Sequence, residues 1–586
     1  MDSVLFWKFV GVSLYLLVLL AIGVVASRRM GDLKDYFAGG KNLGFWAVAF
    51  SSRATGESAW LLLGLTGMGA AFGVHAFWVV VGEVLGVCGA WLFMAGRFKH
   101  LTDGYDSITI PDYLESRFRD TTQQLRVVSA ICLTIFVTIY VSAQIDATGT
   151  AFETFLRPSE VLGIQSSVAE IGNVWFRDNF DYVTGALIGF AVVMAYSTSG
   201  GFVAVVWSDI FQGTLMFFGL VILPIAGAMS IGGFGVMAER LTAIDPELMT
   251  IAGKGGWSLS KVMGTLGLAL IGLGFLGSPQ VFVRFLALKD AKEIPKGTLV
   301  AFVWTLLADS GAVLSGMVGR AALSTPEQSP DVLFKGTFDP AGQQIAEPLM
   351  GSGGEAILPM LVADIFPPMI IGLYIAIVLS AIMSTVDSLL VVAASAAVRD
   401  WYQKVRNPNM GDHELVNLSR QATFGLAIIA LTISMSVAVM SETRTIFWFV
   451  IFGWSGIAAT FCPTMILSLY WAGFTKKGAL ASMISGFLAV PLFKFIPPML
   501  VASGTPEVGD PSALAGVAAL FVELAELPPA FAASFFIGIG VSLMDKDGLK
   551  ELQGIELELA DAAAGRTPKP PPMPPVAGAD AAVGGA

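Results

Sequence analysis

Charge is what this sequence has least of. Only 13% of its 586 residues are Asp, Glu, Lys or Arg, against about a quarter in a soluble globular domain, while 55% are hydrophobic. That balance excludes a water-soluble fold and reads as an all-α polytopic membrane protein surrounded by lipid. What charge there is leans acidic, with a formal net charge of −11, which excludes a nucleic-acid partner. Cysteine is scarce too. Cys88, Cys132 and Cys462 lie far apart in apolar segments, without a metal-binding spacing or a disulfide framework. His75, His100 and His413 are as scattered, so no imidazole cluster offers a metal centre or the base of a nucleophile. A phosphate-cradling glycine loop is also missing. With no catalytic constellation in view, an enzyme is not expected, and neither is an obligate protein partner.

What is there is a series of apolar runs, at about 9–26, 44–73, 76–96, 124–155, 183–197, 205–229, 259–280, 298–323, 367–398, 417–440, 446–471, 479–500 and 526–545. They predict about 13 transmembrane helices. The first is too long for a signal segment, and its basic flank, Arg28 and Arg29, follows it instead of preceding it. Threading the runs alternately gathers Arg28, Arg29, Lys34, Arg97, Lys99, Arg117, Arg284, Arg399, Lys476 and Lys477, with other basic residues, on one side. That side carries about three times as many Lys and Arg as the other, so it is cytoplasmic. The expectation is a cell-membrane protein (inner or plasma membrane) with its N-terminus outside and its C-terminus inside. The stretch 97–123 holds Ile110-Pro111-Asp112-Tyr113-Leu114, which predicts a short helix opened by proline. Residues 546–586, an acidic helix-like stretch from Leu549 to Ala564 running into a Pro/Ala-rich end, read as a disordered cytoplasmic tail.

The run from Met369 to Val398 is long enough to span a bilayer, yet Ser384, Thr385, Asp387 and Ser388 sit in its middle. Ala381, Ser384, Thr385 and Ser388 form an i, i+3, i+4, i+7 stripe, with Asp387 flanking it. Hydroxyls alone are equally explained by bonding back to the i−4 carbonyl or by small-residue packing. A carboxylate at mid-bilayer costs about 2.5–3.5 kcal/mol even on a lenient scale, so Asp387 turns the reading towards a hard, oxygen-ligated cation.

Two runs are interrupted. One carries Ser51-Ser52-Arg53-Ala54-Thr55-Gly56-Glu57-Ser58 where apolar residues should continue; the other carries Gly272-Leu273-Gly274-Phe275-Leu276-Gly277-Ser278-Pro279-Gln280. Five helices separate their starts, so the second runs opposite to the first across the membrane. Interrupted helices at matching positions of oppositely oriented halves point to a transporter built from inverted repeats, with freed carbonyls for a cation and freed amides for an anion. Kinking of packed helices by Gly and Pro is the alternative, weaker for the charged interruption than for the glycine-rich one.

These residues carry a resemblance. Asp35-Tyr36-Phe37-Ala38-Gly39-Gly40, Trp60-Leu61-Leu62-Leu63-Gly64-Leu65, Pro111-Asp112-Tyr113, Gly200-Gly201-Phe202 through Trp207-Ser208-Asp209 to Gln212, Gly272 through Arg284-Phe285, and Met383-Ser384-Thr385 stand in an order similar to that of the sodium/solute symporter family, most of all its sodium/proline branch. The resemblance implies a LeuT-like core of two inverted five-helix repeats at about 44–229 and 259–471, after a leading helix in 1–43 and before two further helices in 479–545. It implies sodium at the backbone oxygens of Ala54 and Glu57 and at Ala381, Ser384 and Thr385. In some relatives a second sodium takes the positions of Asp209, Asp387 and Ser388; here Asp209 reads equally as a structural or proton-linked carboxylate. Substrate falls near Tyr140, Ile271, Phe275 and Pro279.

Departures bear on the solute. Ile271 replaces an indole and Gly56 an aspartate of the proline branch, while Arg53, Glu83, Gln144 and Asp146 add polar groups near the pocket. Arg53 and Glu57, at i, i+4, either neutralise each other or meet the two ends of a zwitterion. The expected function is sodium-coupled import of a small polar solute, an amino acid such as proline or a more polar relative. The alternatives are a sodium/sugar symporter for hexose or sialic acid-type solutes and, in a different class, a membrane sensor or an uncoupled channel.

Overall fold

The computed structural model describes residues 3–27, 39–197, 201–338, 344–407, 409–441, 445–503 and 513–569. Arg28, Arg29, Lys34, the Asp35–Ala38 part of the first motif, Gly200 and the tail from Pro570 lie outside the described residues.

The described chain is helical apart from one small hairpin, Thr337–Phe338 with Gln344–Ala346. Every expected apolar run coincides with a helix or a broken helix. Eleven described helices are long and apolar enough to cross a membrane, and Phe180–Met194 and Leu514–Leu524 are shorter apolar ones. One of the eleven, Trp60–Gly104, joins two expected runs. They part at Gly73, whose φ of 60° and ψ of −134° suit only glycine; a Cβ there would lie 2.0 Å from the Leu248 carbonyl oxygen. Leu14, Leu85, Phe93, Phe218 and Leu543 are exposed on outer faces, as lipid-facing positions are.

The two interruptions are real breaks. The first helix of the pair is Phe45–Gly56, which resumes at Trp60 and continues as Thr66–Phe72; between them Glu57 is extended, at φ −92° and ψ 127°. The second is Leu259–Ala269, which tightens to a 3₁₀ turn over Leu270–Leu276, breaks at Gly277 and Ser278 and resumes as Pro279–Ala287, proline taking a first-turn position where no amide is needed. Leu43, before the first, pairs with the end of the second: Leu43 N donates to the Ala287 carbonyl at 3.1 Å, and Lys289 N to the Leu43 carbonyl at 2.8 Å. The start of one therefore lies beside the end of the other, and the two run antiparallel, as an inverted repeat requires.

Phe45–Gly56 is the hub. It packs against Gly201–Ile231, Pro279–Ala287, Ile294–Leu323 and Pro368–Ser395. Glycines let backbones touch where the second broken helix meets Phe77–Gly89: a Cβ on Gly272 would lie 1.9 Å from the Gly82 carbonyl oxygen, and one on Gly86 2.0 Å from that of Gly272.

The helix opened by proline forms as Ile110–Phe118, capped by Thr109, whose hydroxyl accepts from Asp112 N at 3.2 Å. Two expectations need correction. Arg117, Arg284 and Arg399, gathered with the other basic residues on the side taken as cytoplasmic, are not solvated but buried, with Arg284 wholly inside the protein. Residues 546–569 are not without structure: Lys546–Glu551 and Ile555–Ala563 are helices. Ile555 and Leu559 are buried, and Glu558 accepts from Tyr105 Oη at 2.6 Å and Arg119 Nη2 at 2.7 Å, so an apolar stripe and one carboxylate hold the segment down.

Candidate functional site

Pro368–Ser395 crosses the first broken helix at its break, and the oxygens named from the sequence converge there. Ser384 Oγ donates to the Ala54 carbonyl at 2.9 Å and lies 3.2 Å from that of Ala381. Thr385 Oγ1 lies 3.0 Å from the Glu57 carbonyl, 3.2 Å from that of Ala381 and 3.4 Å from that of Thr55. The Ala54 and Glu57 carbonyls point outward because extended Glu57 ends the helical ladder. Two hydroxyls and four carbonyls, all neutral and all buried, make an oxygen-only set suited to a hard monovalent cation.

One turn along the same helix, Ser388 and Asp387 belong to a second cluster built on a guanidinium. Arg284 Nη2 lies 3.1 Å from Asp209 Oδ2 and 2.6 Å from Ser388 Oγ, and its Nε donates to Ser51 Oγ at 3.1 Å. Ser51 Oγ in turn donates to Asp209 at 2.6 Å, and Thr55 Oγ1 lies 3.0 Å from Ser388 Oγ. Asp387 turns one oxygen back to its neighbour's amide, accepting from Ser388 N at 2.7 Å. Asp209 thus lies against a cation that belongs to the protein; the sequence left it open between a sodium ligand and a structural or proton-linked carboxylate.

The expected substrate residues form an aromatic corner. Phe275 and Trp454 lie 4.9 Å apart, Trp454 meets Tyr140 edge-on at 6.4 Å, and Trp454 Nε1 donates to the Ile271 carbonyl at 3.1 Å. Trp454, from Ile446–Tyr470, lies beside Ile271 in the space left by Gly274, where a Cβ would lie 2.3 Å from its ring. Phe275 also closes over Gly56, where a Cβ would meet its ring at 2.7 Å. Pro279 stands apart, at the start of the next half-helix.

The polar additions are engaged internally. Gln144 accepts from Ala59 N at 3.2 Å and donates to Ser58 Oγ at 3.1 Å, while Asp146 accepts from Tyr182 Oη at 2.5 Å. Arg53 pairs with Glu57, lies 3.8 Å from Glu83 and stands over the Phe275 ring at 4.7 Å. A cavity of about 650 Å³ lies beyond the half-helix Thr66–Phe72, lined by Met68, Phe72, Arg320, Glu355 and Phe447 among others. Phe447 of its lining meets the Trp60 ring at 6.2 Å.

Sequence reasoning missed Arg284 as a site residue, Trp454 and Asp309. Asp309 carried a usable signal, being a carboxylate alone within the apolar run 298–323. Trp454 carried none, because an indole in an apolar run is ordinary.

The sequence profile described as the Sodium:solute symporter family matches residues 36–169 and 178–486. The chain is 35% identical to the high-affinity proline transporter PutP of Bacillus subtilis over 473 residues, 80% of this chain and 89% of that one. It is 30% identical to the osmoregulated proline transporter OpuE of the same organism, covering 92% and 98%, and 30% identical to the sodium/proline symporter of Escherichia coli, covering 82% and 86%. A solved structure described as a substrate-bound, outward-open Na+-coupled sialic acid symporter superposes with a TM-score of 0.64 at 17% identity, over 92% of this chain and 97% of that one, which establishes the shared LeuT-like fold. This chain belongs to the sodium:solute symporter family.

Proposed function

We propose that this protein imports proline, or a closely related zwitterionic amino acid, together with sodium. The observation that carries the coupling is the meeting of the Ser384 and Thr385 hydroxyls with the carbonyls of Ala54, Glu57 and Ala381 at the break of the first helix. The solute reading rests on the aromatic corner of Tyr140, Phe275 and Trp454, a set of flat walls suited to a small ring, and on relatives named as proline transporters. Ile271 and Gln144 alone favour a more polar amino acid, but an indole, that of Trp454, stands beside Ile271, and Gln144 and Asp146 have partners within the protein. The repeats are assigned to 44–229 and 259–471, with a cytoplasmic C-terminus in the cell membrane.

One sodium entering down about 100 mV and a tenfold gradient supplies about 2.3 + 1.4 kcal/mol, enough to concentrate a neutral solute a few hundredfold. Reconstituted in liposomes, the protein should take up labelled proline only with sodium outside. Ser384→Ala with Thr385→Ala should raise the half-saturating sodium concentration tenfold or more. Unchanged sodium dependence in that double variant would sink the ion assignment. Thermal stabilisation by hexoses or sialic acids, with none from any amino acid, would overturn the solute.

A further inference from the structure

Near Arg53, which stands over the Phe275 ring, three helices bring carboxylates to one point. Glu57 comes from the break of the first helix, Glu83 from Phe77–Gly89 and Asp309 from Ile294–Leu323. One ligand oxygen from each lies within 4.8 Å of the other two, and all three side chains are buried. Arg53 is the cation that the described residues place among them, pairing with Glu57 and reaching Glu83 at 3.8 Å. With all three ionised, the set would carry two negative charges more than Arg53 balances. The second observation concerns Asp309: it is wholly buried, turned towards the other two carboxylates, and neither of its oxygens meets a hydrogen-bond donor among the described residues. A buried ionised carboxylate without donors is costly and is relieved by a proton or by a counter-ion; three carboxylates converging on one point are placed to share a cation.

We propose that Glu57, Glu83 and Asp309 form a cage for a hard cation, held by carboxylate oxygens and separate from the Ser384 and Thr385 site. Three points no more than 4.8 Å apart share a centre within about 2.8 Å of each, so a slight inward movement gives the 2.3–2.6 Å at which hard cations take carboxylate oxygens. Softer metals are disfavoured, since no thiol or imidazole belongs to the set. Arg53, which also rests against Phe275 and Trp304 at 4.7 and 5.7 Å, lowers the charge of the fully ionised cage from −3 to −2. The two ion sites meet in Glu57: its carbonyl faces Thr385 and its carboxylate faces the cage.

The test is equilibrium binding of radioactive sodium and radioactive calcium to the purified full-length protein, in the parent, in Glu83→Gln with Asp309→Asn, and in Ser384→Ala with Thr385→Ala. The carboxamide variant should bind one fewer equivalent of one of the two ions, which also identifies the occupant, while the Ser/Thr variant retains that equivalent. Asp309→Asn alone, which keeps the shape of the side chain, serves if the double variant does not elute as a single species; it should weaken that equivalent tenfold or more. Binding of both ions equal to the parent's in the carboxamide variants would overturn the cage. Sodium binding unaltered in the Ser/Thr variant would instead overturn the coupling site and leave the cage standing, so the two failures are told apart.

Discussion

Arg284 and Asp209 form an ion pair that solvent does not reach: Nη2 and Oδ2 lie 3.1 Å apart and both side chains are fully buried. Removing one member strands the other's charge in a medium of low dielectric, at a cost of about 3–5 kcal/mol, whereas removing both strands neither. Asp209→Asn should therefore lower the melting temperature of the purified protein markedly. Adding Arg284→Met to it should recover much of the loss. A destabilisation in the double variant as large as the sum of the two single ones would show that the pair is not the reason Asp209 is needed.

Trp454 is expected to set solute affinity. Trp454→Ala removes a wall from both Phe275 and Tyr140 and opens a core cavity, at about 3–5 kcal/mol of stability. Trp454→Phe keeps most of the apolar area and loses only the hydrogen bond to the Ile271 carbonyl, about 1–3 kcal/mol for a buried acceptor left unpaired. Half-saturating proline in liposome uptake should thus rise more in the Ala variant than in the Phe variant, with half-saturating sodium little changed. Equal affinity in parent and Ala variant would remove Trp454 from the solute site.

What the sequence disclosed about this site followed from periodicity and cost. The stripe of Ala381, Ser384, Thr385 and Ser388 and the two interrupted runs are departures from a lipid-compatible pattern, so they were legible, and the oxygens they named do converge. Partner choice was not legible. Whether Asp209 meets an ion or Arg284 depends on where Pro279–Ala287 lies in space, and positive charge near the end of an apolar run reads as a loop cation by the same rule that sets orientation. The indole of Trp454 was hidden because aromatic residues in membrane helices are common and only packing shows which one fills a gap. The helical character of residues 549–564 was legible, but not its docking, because that rests on Tyr105 and Arg119, more than 400 residues earlier in the chain.

The contact of Gly86 with Gly272 should tolerate no side chain. A methyl on Gly86 would sit 2.0 Å from the Gly272 carbonyl oxygen, and backbone, unlike a side-chain tip, has no rotamer to yield. Gly86→Ala should cost about 1–3 kcal/mol and push Leu270–Leu276 away, misplacing Phe275. The checks are melting temperature and proline uptake, both expected to fall. Gly516→Ala, which meets nothing within 4 Å, is the control and should leave both intact.

Acid should loosen one end of the molecule through Asp112, which ties three elements together. Its carboxylate lies 2.8 Å from Arg126 of Gln124–Phe155 and 2.9 Å from Arg399 of Ala396–Arg406, beyond the Ser384 helix. Burial alone would push the carboxyl up, but the Arg399 and Arg126 guanidiniums outweigh it and hold it well below the usual carboxylate range. A carboxyl whose folded value lies below its unfolded one, about 3.9, stabilises the fold fully above that value, and the contribution is lost as the pH falls through the folded one. The parent's melting temperature should accordingly drop on acidification below about pH 4 more steeply than that of Asp112→Asn, which has no proton to gain there. At pH 7 the variant should already be weaker by about 1.5–3 kcal/mol, the worth of a charged hydrogen bond, since Arg126 and Arg399 keep Asp400 as a partner at 2.7 and 2.9 Å. The two curves should converge towards low pH. Parallel curves over the whole range would mean that Asp112 is not held ionised by the two arginines.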